Sequence, residues 1–189
     1  IQKSYSFKKV GVLGAGMMGS AIAYCSAISG IETVLKDVTQ EGADKGKAYS
    51  ENILKKRVSK GKMTKEKADS VLNKIKATAT AADLKDCDLI IEAVFENREL
   101  KAKVTQEAEA QMNSAGVFAS NTSTLPITGL STASSRPKNF IGLHFFSPAD
   151  KMPLVAIIVG KDTSDAMLAR AFDFVQAIKK TQIVYHDSR

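Results

Sequence analysis

A glycine-rich string, Gly14-Ala15-Gly16-Met17-Met18-Gly19, stands between a short apolar run and a stretch with helical character. That order constrains the fold more than any other feature of the chain. Lys9 to Leu13 (KVGVL) reads as a buried strand, and Met17 to Ser29 as a helix closed by Gly30. G-x-G-x-x-G carries meaning when it follows a strand and opens a helix. Gly14 then supplies the tight turn, Gly16 lets the backbone approach a pyrophosphate, and Gly19 lets the helix lie close to the strand. The helix N-terminus adds unpaired N–H groups and a partial positive charge, so residues 14–19 are expected to hold phosphates. Asp37 follows the next strand, Glu32 to Lys36. An acid there accepts hydrogen bonds from the adenosine ribose and repels a 2′-phosphate, which favours NAD over NADP. Lys36 beside it weakens that preference.

The signals beyond this point alternate between strand and helix. Glu41 to Lys60 and Thr64 to Lys76 read as two charged helices, with Gly61 between them and Thr64 as an N-cap. They form a hairpin ahead of a weak strand at 76–80. Strands are expected at 88–94, 117–120, 140–145, 154–159 and 183–185, with helices at 98–112, 125–131 and 164–179. The pattern predicts an α/β fold: a Rossmann-type, doubly wound, mostly parallel sheet with an inserted helical hairpin. Residues 1–189 read as one dinucleotide-binding domain.

Composition removes several classes. Hydrophobic residues make up 44% and charged residues 25%, as in a globular chain rather than a disordered or disulfide-stapled one. No apolar run of membrane-spanning length occurs. Cys25, Cys87, His144 and His186 do not share a ligand spacing, so no metal is expected. The net charge of +7 gathers between Lys55 and Lys67. That stretch lacks the interleaved aromatics of a single-strand nucleic-acid site. It reads as a solvated helix face or as a site for an anionic small molecule, and no nucleic acid is expected.

In an open parallel sheet, ligands sit at the carboxyl ends of the strands. Glu96, Ser123 and His144 follow or end three successive strands, so they are expected to converge on one crevice. A histidine there is suited to take a proton from an alcohol while a hydride leaves for a nicotinamide. Plainer readings stand beside these: Ser123 as a turn residue, Glu96 and Lys101 as an exposed pair without a role, Lys60 as a solvated cation.

Four blocks, GVLGAGMMGSAIA, DLIIEAVFEN with Lys101, SNTSTLPIT and GLHFFSPADKMPLV, lie in register through almost the whole chain. In these the chain resembles the NAD-binding domain of the L-3-hydroxyacyl-CoA dehydrogenases, nearest to the bacterial fatty-acid oxidation type. The resemblance implies that Gly14, Ala15, Gly16, Met17, Met18 and Gly19 hold the NAD pyrophosphate, with Met18 toward the adenosine. It implies that Asp37 binds the ribose and that Glu96 and Lys101 stand beside the nicotinamide half. Ser123 would bond the substrate oxygen and the cofactor, and His144 would be the general base. Ser147, where many relatives have Asn, would face the nicotinamide ribose. Lys60 would meet a coenzyme A phosphate. The implied substrate pair is 3-hydroxyacyl-CoA and 3-ketoacyl-CoA.

Two departures accompany the resemblance. Relatives carry a Glu twelve residues after this His, and here that position is Ala156. Such a carboxylate orients the imidazole and stabilises its protonated form; neutralising the equivalent acid in serine proteases costs about 10⁴ in turnover. Relatives also continue into a helical domain that covers the acyl group and forms the homodimer, and this chain reads as a piece cut ahead of it. The expectation is NAD binding with very low turnover. Two other readings stay open: an NAD(H)-binding module without useful chemistry, and a related hydroxyacid dehydrogenase. Bacterial cytoplasm is the expected location, with a mitochondrial or peroxisomal origin left open.

Overall fold

The glycine turn joins strand β1 (Lys9–Leu13) to helix α1 (Met17–Ile28) in the computed structural model, which describes residues 4–187. The cut ends read from the sequence, at Ile1 and at Ser188 and Arg189, lie outside the described residues. β2 (Glu32–Lys36) returns parallel to β1, with Leu13 opposite Lys36. Helices α2 (Gln40–Ser59) and α3 (Lys65–Leu72) form the expected hairpin, and β3 (Ile75–Thr78) pairs parallel with β2. The chain then crosses to the other side of β1. There β4 (Leu89–Glu92), α4 (Arg98–Glu109), β5 (Val117–Ser120), α5 (Ile127–Leu130) and β6 (Phe140–Phe145) follow in turn. β7 (Leu154–Val159), α6 (Asp165–Ala177) and β8 (Thr181–His186) complete the sheet, in the order β3-β2-β1-β4-β5-β6-β7-β8. Strands β1 to β6 are parallel; β7 runs antiparallel to β6, and β8 parallel to β7. The switch point lies between β1 and β4, where this architecture opens its ligand crevice.

Alternate residues of the strands feed two apolar clusters. Val10, Val12, Leu89, Ile91 and Leu143 meet α1, α2, α3 and α6 through Ile22, Leu54, Val71 and Phe174. Ile90, Phe118 and Phe140 meet α4 and α5 through Ala108 and Leu130. Helices on both faces make the sheet doubly wound. Helix α1 is buried without a break from Gly19 to Ala27, because its run of small side chains fits between the sheet and α2. Its C-terminus closes as expected, with the N–H groups of Gly30 and Ile31 donating to Ala27 O at 3.0 Å and Ser26 O at 3.1 Å.

The structure shortens several expected elements, two of them for a visible reason. The Thr64 hydroxyl caps α3 by accepting from Lys67 N at 3.2 Å, but the helix stops at Leu72 instead of 76. The N–H of Thr33 in β2 donates to Lys74 O at 2.8 Å, drawing Ile75 into the sheet. Sheet pairing thus overrides a helical periodicity that continues through the sequence. β4 ends at Glu92 rather than at 94, because the Val94 N–H turns back to the Glu92 side chain at 2.8 Å.

Candidate active site

The glycine turn owes its shape to its backbone. Gly14 has φ +98°, and a Cβ there would stand 2.7 Å from Ala93 O. A Cβ at Gly19 would stand 1.7 Å from Gly14 O, so any side chain would drive α1 off the turn. Gly16 differs: a Cβ there would meet nothing within 4 Å. Its missing side chain leaves open space above the helix N-terminus, which is where a diphosphate needs to come close. Helices α2, α3, α4 and α6 each begin with a side-chain cap, from Thr39, Thr64, Asn97 and Ser164. α1 begins with Gly16, has no side-chain cap, and carries no acid in its first turn. Its first N–H groups and its dipole are thus left for an outside anion, and the cradle fits a dinucleotide diphosphate.

The expected residues distribute over neighbouring hollows. Gly14 and Asp37 line a small one of about 40 Å³ with Lys36, Val38 and Val94. Lys36 is paired with Glu107 of α4 at 3.4 Å, so the cation beside Asp37 is already engaged. Ala15, Gly16, Met17, Met18 and Ser147 line a second hollow of about 330 Å³. Ser123 and His144 share a third, of about 340 Å³, with Thr122, Phe146, Ala156 and Tyr185. Phe145 is buried in the core while Phe146 faces this hollow, its ring 5.0 Å from that of His144 and nearly perpendicular. Lys60 lies apart from His144. It lines a basic hollow of about 420 Å³ with Lys56, Arg57, Lys62 and Lys151, which shares Tyr49 and Pro148 with the glycine-loop hollow.

Glu96 follows β4 and holds the turn that carries Ser123. Its Oε2 accepts from Thr122 Oγ1 at 2.7 Å and Thr124 Oγ1 at 2.8 Å, and its Oε1 lies 3.5 Å from Lys101 Nζ. Burial pushes its carboxyl pKa up, but the two hydroxyls and the ammonium outweigh that and hold it below the ordinary value. Lys101 does not reach the cleft directly. Its side chain is 2% exposed, and its ammonium also binds Glu92 Oε2 at 2.6 Å and Val94 O at 3.2 Å. Lys101, expected beside the nicotinamide half, is thus buried behind the more exposed Glu96. Nor are the two an exposed pair, because Glu96 precedes α4 and approaches Lys101 from outside the helix.

At His144 one ring nitrogen is left over. Nδ1 is buried and has no hydrogen-bond partner among the described residues. The antiparallel ladder sets His144 directly opposite Ala156. The position whose carboxylate the sequence lacks is thus the cross-strand neighbour of the imidazole, and a methyl group stands there.

Sequence reasoning missed several residues. Glu92 lies hidden in the apolar run of β4. Val38, Phe95 and Tyr185 are large apolar side chains left 83%, 86% and 54% exposed. Val38 and Tyr185 line the hollows just described, and Phe95 adjoins Glu96. Their signal was an apolar residue at a strand end where a turn calls for a polar one.

Residues 9–188 match the family model for the 3-hydroxyacyl-CoA dehydrogenase NAD binding domain. The chain belongs to this family. It is an NAD-binding domain. Among relatives, it is 43% identical over 180 residues to the fatty acid oxidation complex subunit alpha of Idiomarina loihiensis, covering 95% of this chain and 25% of that one. The Pseudomonas putida protein of the same name is 39% identical over 184 residues, covering 97% and 26%. The (S)-3-hydroxybutyryl-CoA dehydrogenase of Ralstonia eutropha superposes with a TM-score of 0.93 at 36% identity, covering 97% of this chain and 65% of that one. The chain thus spans about a quarter of the length of these two curated relatives. Among the described residues no helix is long and apolar enough to cross a membrane.

Proposed function

We propose that this chain is the NAD-binding half of a bacterial, cytoplasmic (3S)-3-hydroxyacyl-CoA dehydrogenase acting in fatty-acid oxidation. The observation that carries this reading is the shared hollow of Ser123 and His144, on strand ends next to the uncapped glycine cradle. Gly14 to Gly19 would hold the NAD diphosphate, Asp37 the adenosine ribose, and Glu96 and Ser147 the nicotinamide side, with Lys101 supporting Glu96. Bound NAD would accept the hydride released from C3 of the substrate. His144 takes the proton of the C3 hydroxyl as that carbon becomes a carbonyl, and returns it in the reverse direction. Ser123 donates a hydrogen bond to the same oxygen. The basic hollow around Lys60 would receive phosphates of the coenzyme A substrate. A helical second domain of the parent polypeptide would cover the acyl group and form the homodimer.

The test is NADH binding and acetoacetyl-CoA reduction by the polypeptide that includes such a second domain. His144→Ala should abolish turnover while NADH affinity stays within a few fold. Unchanged turnover would remove His144 from the mechanism.

A second reading has one observation in its favour. The orphaned Nδ1 facing Ala156 suits a domain that holds NAD(H) without useful turnover. Acetoacetyl-CoA reduction set against oxidation of free hydroxyacids separates both readings from a related hydroxyacid dehydrogenase.

A further inference from the structure

Glu92 ends β4 in the middle of the sheet and is 1% exposed. A carboxylate buried this deeply costs several kcal/mol unless it is paired and fully hydrogen-bonded. This one is. Its Oε1 accepts from Ser120 Oγ at 2.6 Å, and its Oε2 accepts from Val94 N at 2.8 Å and Lys101 Nζ at 2.6 Å. The three partners belong to three different parts of the site. Ser120 ends β5, immediately before the turn that carries Ser123. Val94 opens the loop that carries Glu96. Lys101 lies on α4 and hands the connection to Glu96 Oε1 at 3.5 Å.

From Glu96 the contacts continue to Thr122 and Thr124, the two neighbours of Ser123. The same turn is fixed to β6, because Phe145 N donates to Asn121 Oδ1 at 2.7 Å. Glu92 is therefore the buried end of a relay whose exposed end is the Glu96 carboxylate. Its charge matters as much as its geometry. Two carboxylates share one ammonium, and of the three groups Glu96 alone reaches solvent.

We propose that Glu92 is a positioning residue: through Lys101 it sets where the Glu96 carboxylate stands. This rests on the reading that Glu96 faces the nicotinamide half of the cofactor. A role confined to that half predicts a split that general weakening of the fold would not give. In Glu92→Gln, NADH should bind about tenfold more weakly by calorimetry. ADP, which carries only the adenosine and diphosphate part, should change less than twofold.

Glu92→Gln leaves Lys101 buried without its partner and is prone to unfold. The double substitution Glu92→Gln with Lys101→Met removes both charges. It should melt within a few degrees of the native protein and still show the split between NADH and ADP. Equal losses for NADH and ADP, or undiminished NADH affinity in a folded variant, would overturn the proposal. Failure of the underlying reading looks different: Glu96→Gln would then leave NADH affinity unchanged in an otherwise native protein.

Discussion

The glycine cradle and the histidine hollow lie on the same edge of the sheet, yet one is finished and the other is not. The cradle is made of backbone. Its parts are a positive φ at Gly14, a contact that only glycine permits at Gly19, and an α1 N-terminus with no side-chain cap. Apart from the close approach of Ala93 O to Gly14, none of these depends on a partner elsewhere in the chain. The histidine hollow is made of side chains brought together across strands. There one missing group, at Ala156, leaves Nδ1 with nothing to bond. A site built from backbone survives divergence that a site built from paired side chains does not. Binding and turnover should therefore respond to different substitutions.

The largest expected effect is Ala156→Glu. Position 156 faces His144 across the ladder and borders a hollow of about 340 Å³, so the longer side chain has room. Acetoacetyl-CoA reduction by the polypeptide with its second domain should rise by roughly two to four orders of magnitude, the scale of an orienting acid's contribution. NADH affinity should not change. A flat response would show that the hollow's deficiency lies elsewhere and would favour the binding-module reading.

The glycines sharpen the same contrast from the other side. Gly16→Ala places a methyl group in open space. Melting temperature should hold while NADH affinity drops about tenfold or more, since the methyl occupies the place the diphosphate approaches. Gly19→Ala places its methyl 1.7 Å from Gly14 O, and the helix cannot yield cheaply. It should destabilise the fold by about 3 kcal/mol or more, read from urea denaturation. If the two variants behaved alike, the division of labour within the turn would be wrong.

The sequence foretold the cradle because each of its requirements is local. It foretold the strand order poorly where pairing decides. Ile75 has helical neighbours and becomes sheet because β2 holds Lys74. The antiparallel turn of β7 is invisible in its apolar run, and with it the contact between His144 and Ala156. Glu92 reads as one acid in DLIIEAV. Its partner Lys101 is nine residues on, and only the packing of α4 against β4 brings them to 2.6 Å. Val38 and Phe95 were legible in principle, as apolar residues where turns were expected.

Glu96 holds the turn beside the histidine hollow, and its titration gives the smallest effect. Its carboxyl pKa is held below the ordinary value in the folded state by Thr122, Thr124 and Lys101, against the opposing pull of burial. A group with a depressed folded pKa contributes stability that is fully present above its unfolded value. That contribution fades as pH falls through the folded value. Between about pH 6 and pH 3, urea denaturation should show a loss on acidification to which Glu96 adds less than about 1 kcal/mol, because its side chain is 38% exposed and solvent screens the pair. Glu96→Gln should remove that part of the slope and leave the rest. Were the slope unchanged, the carboxylate would not be held by its threonines and lysine in solution. The turn that carries Ser123 would then be looser than the hydrogen bonds describe.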